Sequence, residues 1–244
     1  MSAPGSHRRA PYQRCTALLV VLLLGAIIAT RALDATAFVT WDEPAWTYRS
    51  ARFLVTLTRG DLRGTALTGH PGVTTTWLGA LGLAWHAGVA RTIDWSQILA
   101  VDALATLDVH DAATMRLLGA LLPAAKSALP LAHAAIALGI YGLLRRLAGR
   151  GPAIAAVAVL AADPYYLALS RVLHIDALTA GLMLVALLAA LVYVGVGQSG
   201  ARQRRYLLLS GAAAGLAVLT KTYGAAVAPC ALAALVTGTL WPRR

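Results

Sequence analysis

Thr16 to Leu33 is an apolar run of nearly bilayer length, broken by a single charged side chain, Arg31. The rest of the chain agrees with a membrane setting. With 59% hydrophobic and only 13% charged residues, and a mean hydropathy of +0.68, it lacks the polar side chains to cover a water-facing globule. The fold class expected is all-α, a multi-pass transmembrane helical bundle. A cleaved signal peptide also fits the basic start, the run Ala17 to Ala29 and the small residues Ala35, Thr36 and Ala37. Retention is preferred, because the later helices need a first crossing to set their orientation. Both readings put Asp42 outside.

Charge placement supplies that orientation. The loops beginning at Met1, Arg145, Gln198 and Trp241 hold eleven arginines and no carboxylate, whereas the other ten cations are matched by all ten acids. If the eleven face the cytosol this is the positive-inside pattern, the N-terminus is cytoplasmic, and the net charge of +11 calls for no nucleic-acid partner. Cys15 and Cys230 form neither a disulfide framework nor a metal motif.

The chain then divides into a first transmembrane helix (16–33), a long extracytoplasmic loop (34–113) and five further crossings (114–240), about six in all. Within the loop, Pro44 followed by Ala45, Tyr48, Ala51, Phe53, Leu54 and Leu57 on one side predicts an amphipathic helix on the membrane surface, ended by Gly60. Trp77 to Ile93 is apolar but short and carries His86 and Arg91; were it to cross, every later arginine loop would face outward, so it reads as a juxtamembrane or re-entrant helix. The later crossings are expected at Arg116 to Leu144, Pro152 to Leu169 (interrupted at Asp163 and Pro164), Ile175 to Val196, Tyr206 to Thr220 and Tyr223 to Leu240. Small residues such as Gly211 to Gly215 suit close helix packing in lipid. Paired broken half-helices in two similar halves, the mark of many transporters, are not visible.

Ionisable residues at or inside a membrane are costly, so each is a candidate for function. Asp42 and Glu43 follow the first helix between Trp41 and Trp46, aromatic residues favoured at headgroup level. A carboxylate there is placed to accept a proton from an attacking alcohol; its plainer alternative is a helix cap. Asp163 and Asp176 form a second group with Arg171 and His174, where Asp176 again suits a cap and the two cations either hold a phosphate or snorkel. Lys126 and Lys221 are the only lysines. Snorkelling suits Lys126, while Lys221, between two threonines at a helix break, is the better phosphate candidate. His133 reads as a packed polar residue bonded to a neighbouring helix. Asp108, His110 and Asp111 have a metal-like spacing, against which Asp111 also makes an N-cap.

Four of these stretches together resemble one family. Trp41-Asp42-Glu43, the turn His70-Pro71-Gly72-Val73, the segment Asp163-Pro164-Tyr165-Tyr166 through Ser170-Arg171 to His174-Ile175-Asp176, and Gly215 to Lys221 are similar, in order and topology, to the amino-terminal half of the protein O-mannosyltransferase and lipid A aminoarabinose transferase superfamily of GT-C fold. The resemblance implies a glycosyltransferase that moves a sugar from a polyprenyl-phosphate donor to a hydroxyl acceptor at the extracytoplasmic face of the cell membrane. Asp42 would be the catalytic base, with Glu43 as the neighbouring acid. By depth and charge rather than by the resemblance, Arg171, His174 and Lys221 are expected to meet the donor phosphate, with His70, Asp163 and Asp176 as further candidates. The cofactor stays open, and no metal site is assigned. Family members typically have more helices, so the resemblance also implies a shortened chain, for which an inactive remnant or an accessory subunit with a larger membrane partner is the alternative.

Overall fold

A computed structural model describes residues 9–33, 39–67, 71–195 and 204–240. Among them the regular structure is helical throughout, with no strand. The elements are α1 (Arg9–Ala32), α2 (Glu43–Thr58), α3 (Val73–Gly88), α4 (Trp95–Asp102), α5 (Ala112–Lys126), α6 (Leu129–Leu147), α7 (Arg150–Ala162), α8 (Pro164–Arg171), α9 (Asp176–Tyr193), α10 (Arg204–Thr220), a 3-10 turn (Thr222–Ala226) and α11 (Val227–Leu240). His70 lies outside the described residues.

Three helical stretches are long and apolar enough to cross a membrane: Cys15–Ala32, Ala112–Leu147 and Asp176–Tyr193. A fourth is added if α7 and α8, bent by 62° to one another, count as one span. By length and composition the count is three or four, and the expected figure of about six is not confirmed. The bend has a local cause. Pro164 has no N–H to continue α7, and the Asp163 carboxylate accepts the Tyr166 backbone N–H at 2.6 Å to start α8. Asp163 is thus a helix cap in this fold.

The expected crossing from Arg116 to Leu144 lies within the stretch Ala112–Leu147, which is built from two helices. Ala112 to Leu147 is 36 residues long, about 54 Å of helix, against a hydrocarbon core of about 30 Å. Its first part, α5, packs on α2, α3 and α4, and only α6, with 19 residues, matches a bilayer. Asp111 caps α5, accepting the backbone N–H groups of Ala113 and Thr114. The Thr114 hydroxyl, with those two amides, holds the Asp111 carboxyl below the usual carboxylate range.

Two assemblies result. Helices α2 to α5 enclose one core, built on Trp46, Leu54, Leu83, Ile98, Leu118 and Leu121 and joined by Leu173 and Leu178 from the second half of the chain. On its outer side Arg59 pairs with Asp102 at 2.8 Å, fastening α2 to α4. The second assembly is α1, α6, α7, α9, α10 and α11, which includes the spanning helices α1, α6 and α9. There α9 meets α10 through buried Ala186, Ala189, Ala190, Ala213 and Ala217, small residues that let the two backbones approach. The Ser210 hydroxyl donates to the Ala186 carbonyl across that seam at 2.8 Å.

The assemblies meet at helix ends. Gly72 N–H donates to the Leu219 carbonyl at 3.0 Å, and the Thr74 and Thr220 hydroxyls share a 2.6 Å hydrogen bond, which ties the start of α3 to the end of α10. Gly72 has φ +127°, and a Cβ there would stand 2.1 Å from the Trp46 ring. Only glycine allows both the backbone turn and the indole beneath it.

Candidate active site at the convergence of helix ends

Asp42 and Glu43 are neighbours in sequence and opposites in environment. Glu43 is fully buried, and its carboxylate takes three bonds: Lys126 Nζ at 2.7 Å and the Leu173 backbone N–H at 2.8 Å on Oε1, and the Thr40 backbone N–H at 2.8 Å on Oε2. Lys126, with 3% of its surface exposed, does not snorkel as its sequence position suggested; it is a buried counter-ion. A charge pair removed from solvent needs such additional donors to be tolerated. Glu43 therefore clasps three elements: its own helix, the end of α5 and the α8–α9 connection.

Asp42 faces outward, with its side chain 58% exposed. Asp42 does occupy the N-cap position of α2, as the plainer reading expected, but its backbone is already helical in φ and ψ and its carboxylate makes no capping hydrogen bond. Instead Oδ2 lies 3.2 Å from His174 Nε2. The other ring nitrogen of His174, Nδ1, accepts the Asp176 backbone N–H at 3.3 Å. That bond leaves the ring proton on Nε2, aimed at Asp42.

Asp176 continues the chain of contacts. It is the first residue of α9 rather than its cap, a place held by Ile175. Its carboxylate lies 3.4 Å from His174 Nδ1 and accepts from Lys221 Nζ at 2.6 Å and the Tyr223 hydroxyl at 3.0 Å. Lys221 Nζ also lies 4.7 Å from the centre of the Tyr223 ring. Asp42, His174, Asp176 and Lys221 thus form one connected row across α2, the α8–α9 turn and the end of α10. Arg171, at the end of α8, donates to the Leu33 carbonyl at 2.6 Å.

One turn along α2, a cavity of about 210 Å³ is lined by Trp46, Arg49, Phe53, Gly72 and Trp77, among others. Arg49 sits over the Trp46 ring, 4.6 Å from its centre. Burial pushes the Arg49 guanidinium below its ordinary pKa, and the nearby Asp42 carboxylate acts the other way. His133 and Tyr166 hydrogen bond at 3.2 Å between α6 and α8, away from this row, and Arg31 covers the Tyr166 ring. Asp108 and His110 make a local turn bond, and among the described residues no group of three or more His, Cys, Asp or Glu side chains is placed to hold a metal ion.

Sequence reading missed Lys126 as the partner of Glu43 and Tyr223 as a ligand of Asp176. The pairs are 83 and 47 residues apart in the chain, and no local pattern signals either contact.

Apolar helices of spanning length, ending in a buried ion pair and a water-facing row of polar side chains, define an integral membrane protein with a polar site at one end of its bundle. The chain belongs to the dolichyl-phosphate-mannose-protein mannosyltransferase family, of GT-C type, whose model matches residues 112–244. Lys126, Asp163, Arg171, His174, Asp176 and Lys221 lie inside the match, whereas Asp42 and Glu43 precede it. No curated protein and no solved structure matches the chain.

Proposed function

We propose that this protein is a membrane glycosyltransferase that moves a sugar from a polyprenyl-phosphate donor onto a hydroxyl acceptor at the extracytoplasmic face, with Asp42 as general base. The observation that carries this reading is the contrast between the two adjacent acids: Glu43 is sealed and fully bonded, while Asp42 stands in water with one oxygen held by His174. A base needs that freedom and that fixed orientation. In this mechanism Asp42 takes the acceptor hydroxyl's proton, the oxygen attacks the anomeric carbon with inversion, and the bond to phosphate breaks to release polyprenyl phosphate. Arg171 and Lys221 supply positive charge for the leaving phosphate, Lys221 sharing its charge with Asp176. Membership of the family supports a lipid-linked sugar as the donor class. In this topology the N-terminus is cytoplasmic, in the cell membrane, and α10 and α11 add two shorter crossings to the longer spans.

His174, first read as a phosphate ligand, is here assigned to orient Asp42. The two roles separate kinetically. His174→Gln is expected to lower kcat for sugar transfer roughly 10- to 100-fold, the scale of a misplaced catalytic group, with KM for the polyprenyl-phosphate sugar unchanged. The assay is transfer from that donor to a hydroxyl acceptor in membranes containing the chain. A raised KM at unchanged kcat would return His174 to the phosphate, and no transfer by the unsubstituted protein would overturn the enzymatic reading altogether.

A further inference from the structure

A further cavity lies at the opposite end of the bundle from Asp42. It has a volume of about 530 Å³ and runs between α1 and α6, with Val20 and Tyr141 as its buried floor and the exposed Val21 and Leu138 on its rim. It extends along α1 from Thr16 to Leu24, eight residues further on, or about 12 Å of helix, the dimension of an acyl-chain segment rather than of a small polar ligand. At the Thr16 end it is closed by Arg145, in the last turn of α6, and Arg150, the first residue of α7. Among the described residues neither arginine has a carboxylate within ion-pair distance. Arg146, between them in sequence, is engaged elsewhere: it covers the Tyr206 ring of α10 at 5.4 Å.

An apolar slot that ends in two unpaired guanidinium groups, at the level where spanning helices leave the bilayer, matches a lipid with an anionic head. We propose that this groove binds an anionic glycerophospholipid of the arginine-rich leaflet, one acyl chain lying against Val20 and Tyr141 and the phosphate held between Arg145 and Arg150. Basic pockets between helices at the cytoplasmic end of a bundle select such headgroups, because the paired charges are only partly screened there. The donor site proposed above is at the other end of α6: Leu129 and Arg145 are 16 residues apart, about 24 Å along the helix. The lipid site does not depend on Asp42 or on any transfer activity.

The test is a thermal-shift titration of the full chain in neutral detergent with phosphatidylglycerol and, separately, phosphatidylcholine. Phosphatidylglycerol is expected to raise Tm saturably and phosphatidylcholine not to. The Arg145→Gln/Arg150→Gln double variant should bind phosphatidylglycerol roughly 30-fold more weakly, while Arg146→Gln keeps wild-type affinity. Should the double glutamine variant not fold, Arg145→Lys/Arg150→Lys is the replacement and is expected to retain the preference for the anionic lipid. Equal shifts with both lipids, an undiminished shift in the double glutamine variant, loss of the preference in the double lysine variant, or a response to polyprenyl phosphate alone would each overturn the proposal.

Discussion

Replacing Asp42 by Asn is expected to reduce sugar transfer by about 10²- to 10⁴-fold, the contribution of a general base, while leaving the protein as stable as before. The amide has the shape of the carboxylate, and its oxygen still accepts from His174 Nε2–H, so the local geometry is retained. What disappears is the ability to take a proton from the acceptor hydroxyl. Because the Asp42 side chain is 58% exposed and makes no capping hydrogen bond from its N-cap position, the substitution should change stability by no more than about 0.5 kcal/mol. Transfer is measured from a polyprenyl-phosphate sugar in membranes, alongside the melting temperature of the purified variant. Transfer at the wild-type rate would remove Asp42 from the chemistry.

The second large effect is on folding. Lys126→Met leaves Glu43 with its backbone donors but without its counter-ion in a site that excludes water, and is expected to destabilise the protein by about 3–5 kcal/mol. Glu43→Gln/Lys126→Met should recover part of that loss, since a neutral amide beside a thioether leaves no charge unpaired, and its single carbonyl oxygen still accepts from one of the Leu173 and Thr40 backbone N–H groups, which bond to different oxygens of the carboxylate. Denaturation of both variants in detergent reads the difference directly. Equal losses in the single and double variants would show that the ion pair is not what holds α2 to α5.

Two helices of the first half, α2 and α3, were legible in the sequence because their signals are local, whereas α4 (Trp95–Asp102) was not expected. Pro44 and the apolar positions from Ala45 to Leu57 fall inside α2, and most of the segment from Trp77 falls in α3. The interruption at Asp163 and Pro164 is where the chain bends. The crossing drawn from Arg116 to Leu144 falls inside the apolar stretch Ala112–Leu147, but hydropathy shows neither the break within that stretch nor what each part packs on. The apolar surface of α5 goes to α2, α3 and α4, and Ser127 and Ala128 separate it from α6. The site was legible only as residue types. His174 is 132 residues from Asp42, and its contact with the Asp42 carboxylate follows from how the α8–α9 turn folds back on α2, which no local pattern signals. Lys126 was misread for the same reason: a lysine near a helix end can snorkel, and only the tertiary fold puts a buried glutamate beside it.

The family match and the site divide the chain in an informative way. Residues 112–244 carry the cations and Asp176, and the preceding segment brings the two acids to them through α2. Neither part holds the row from Asp42 to Lys221 without the other.

The account as a whole requires the row of polar side chains to open outside the cell and the arginine-rich end to face in. Single cysteines placed at Trp41, which is 82% exposed beside Asp42, and at Arg204, at the start of α10, read this directly in a background with Cys15 and Cys230 replaced by serine. A membrane-impermeant maleimide added to intact cells is expected to label position 41 at once and position 204 only after permeabilisation. Labelling of 204 from outside with 41 protected would put Asp42 on the cytosolic side and contradict the transferase mechanism.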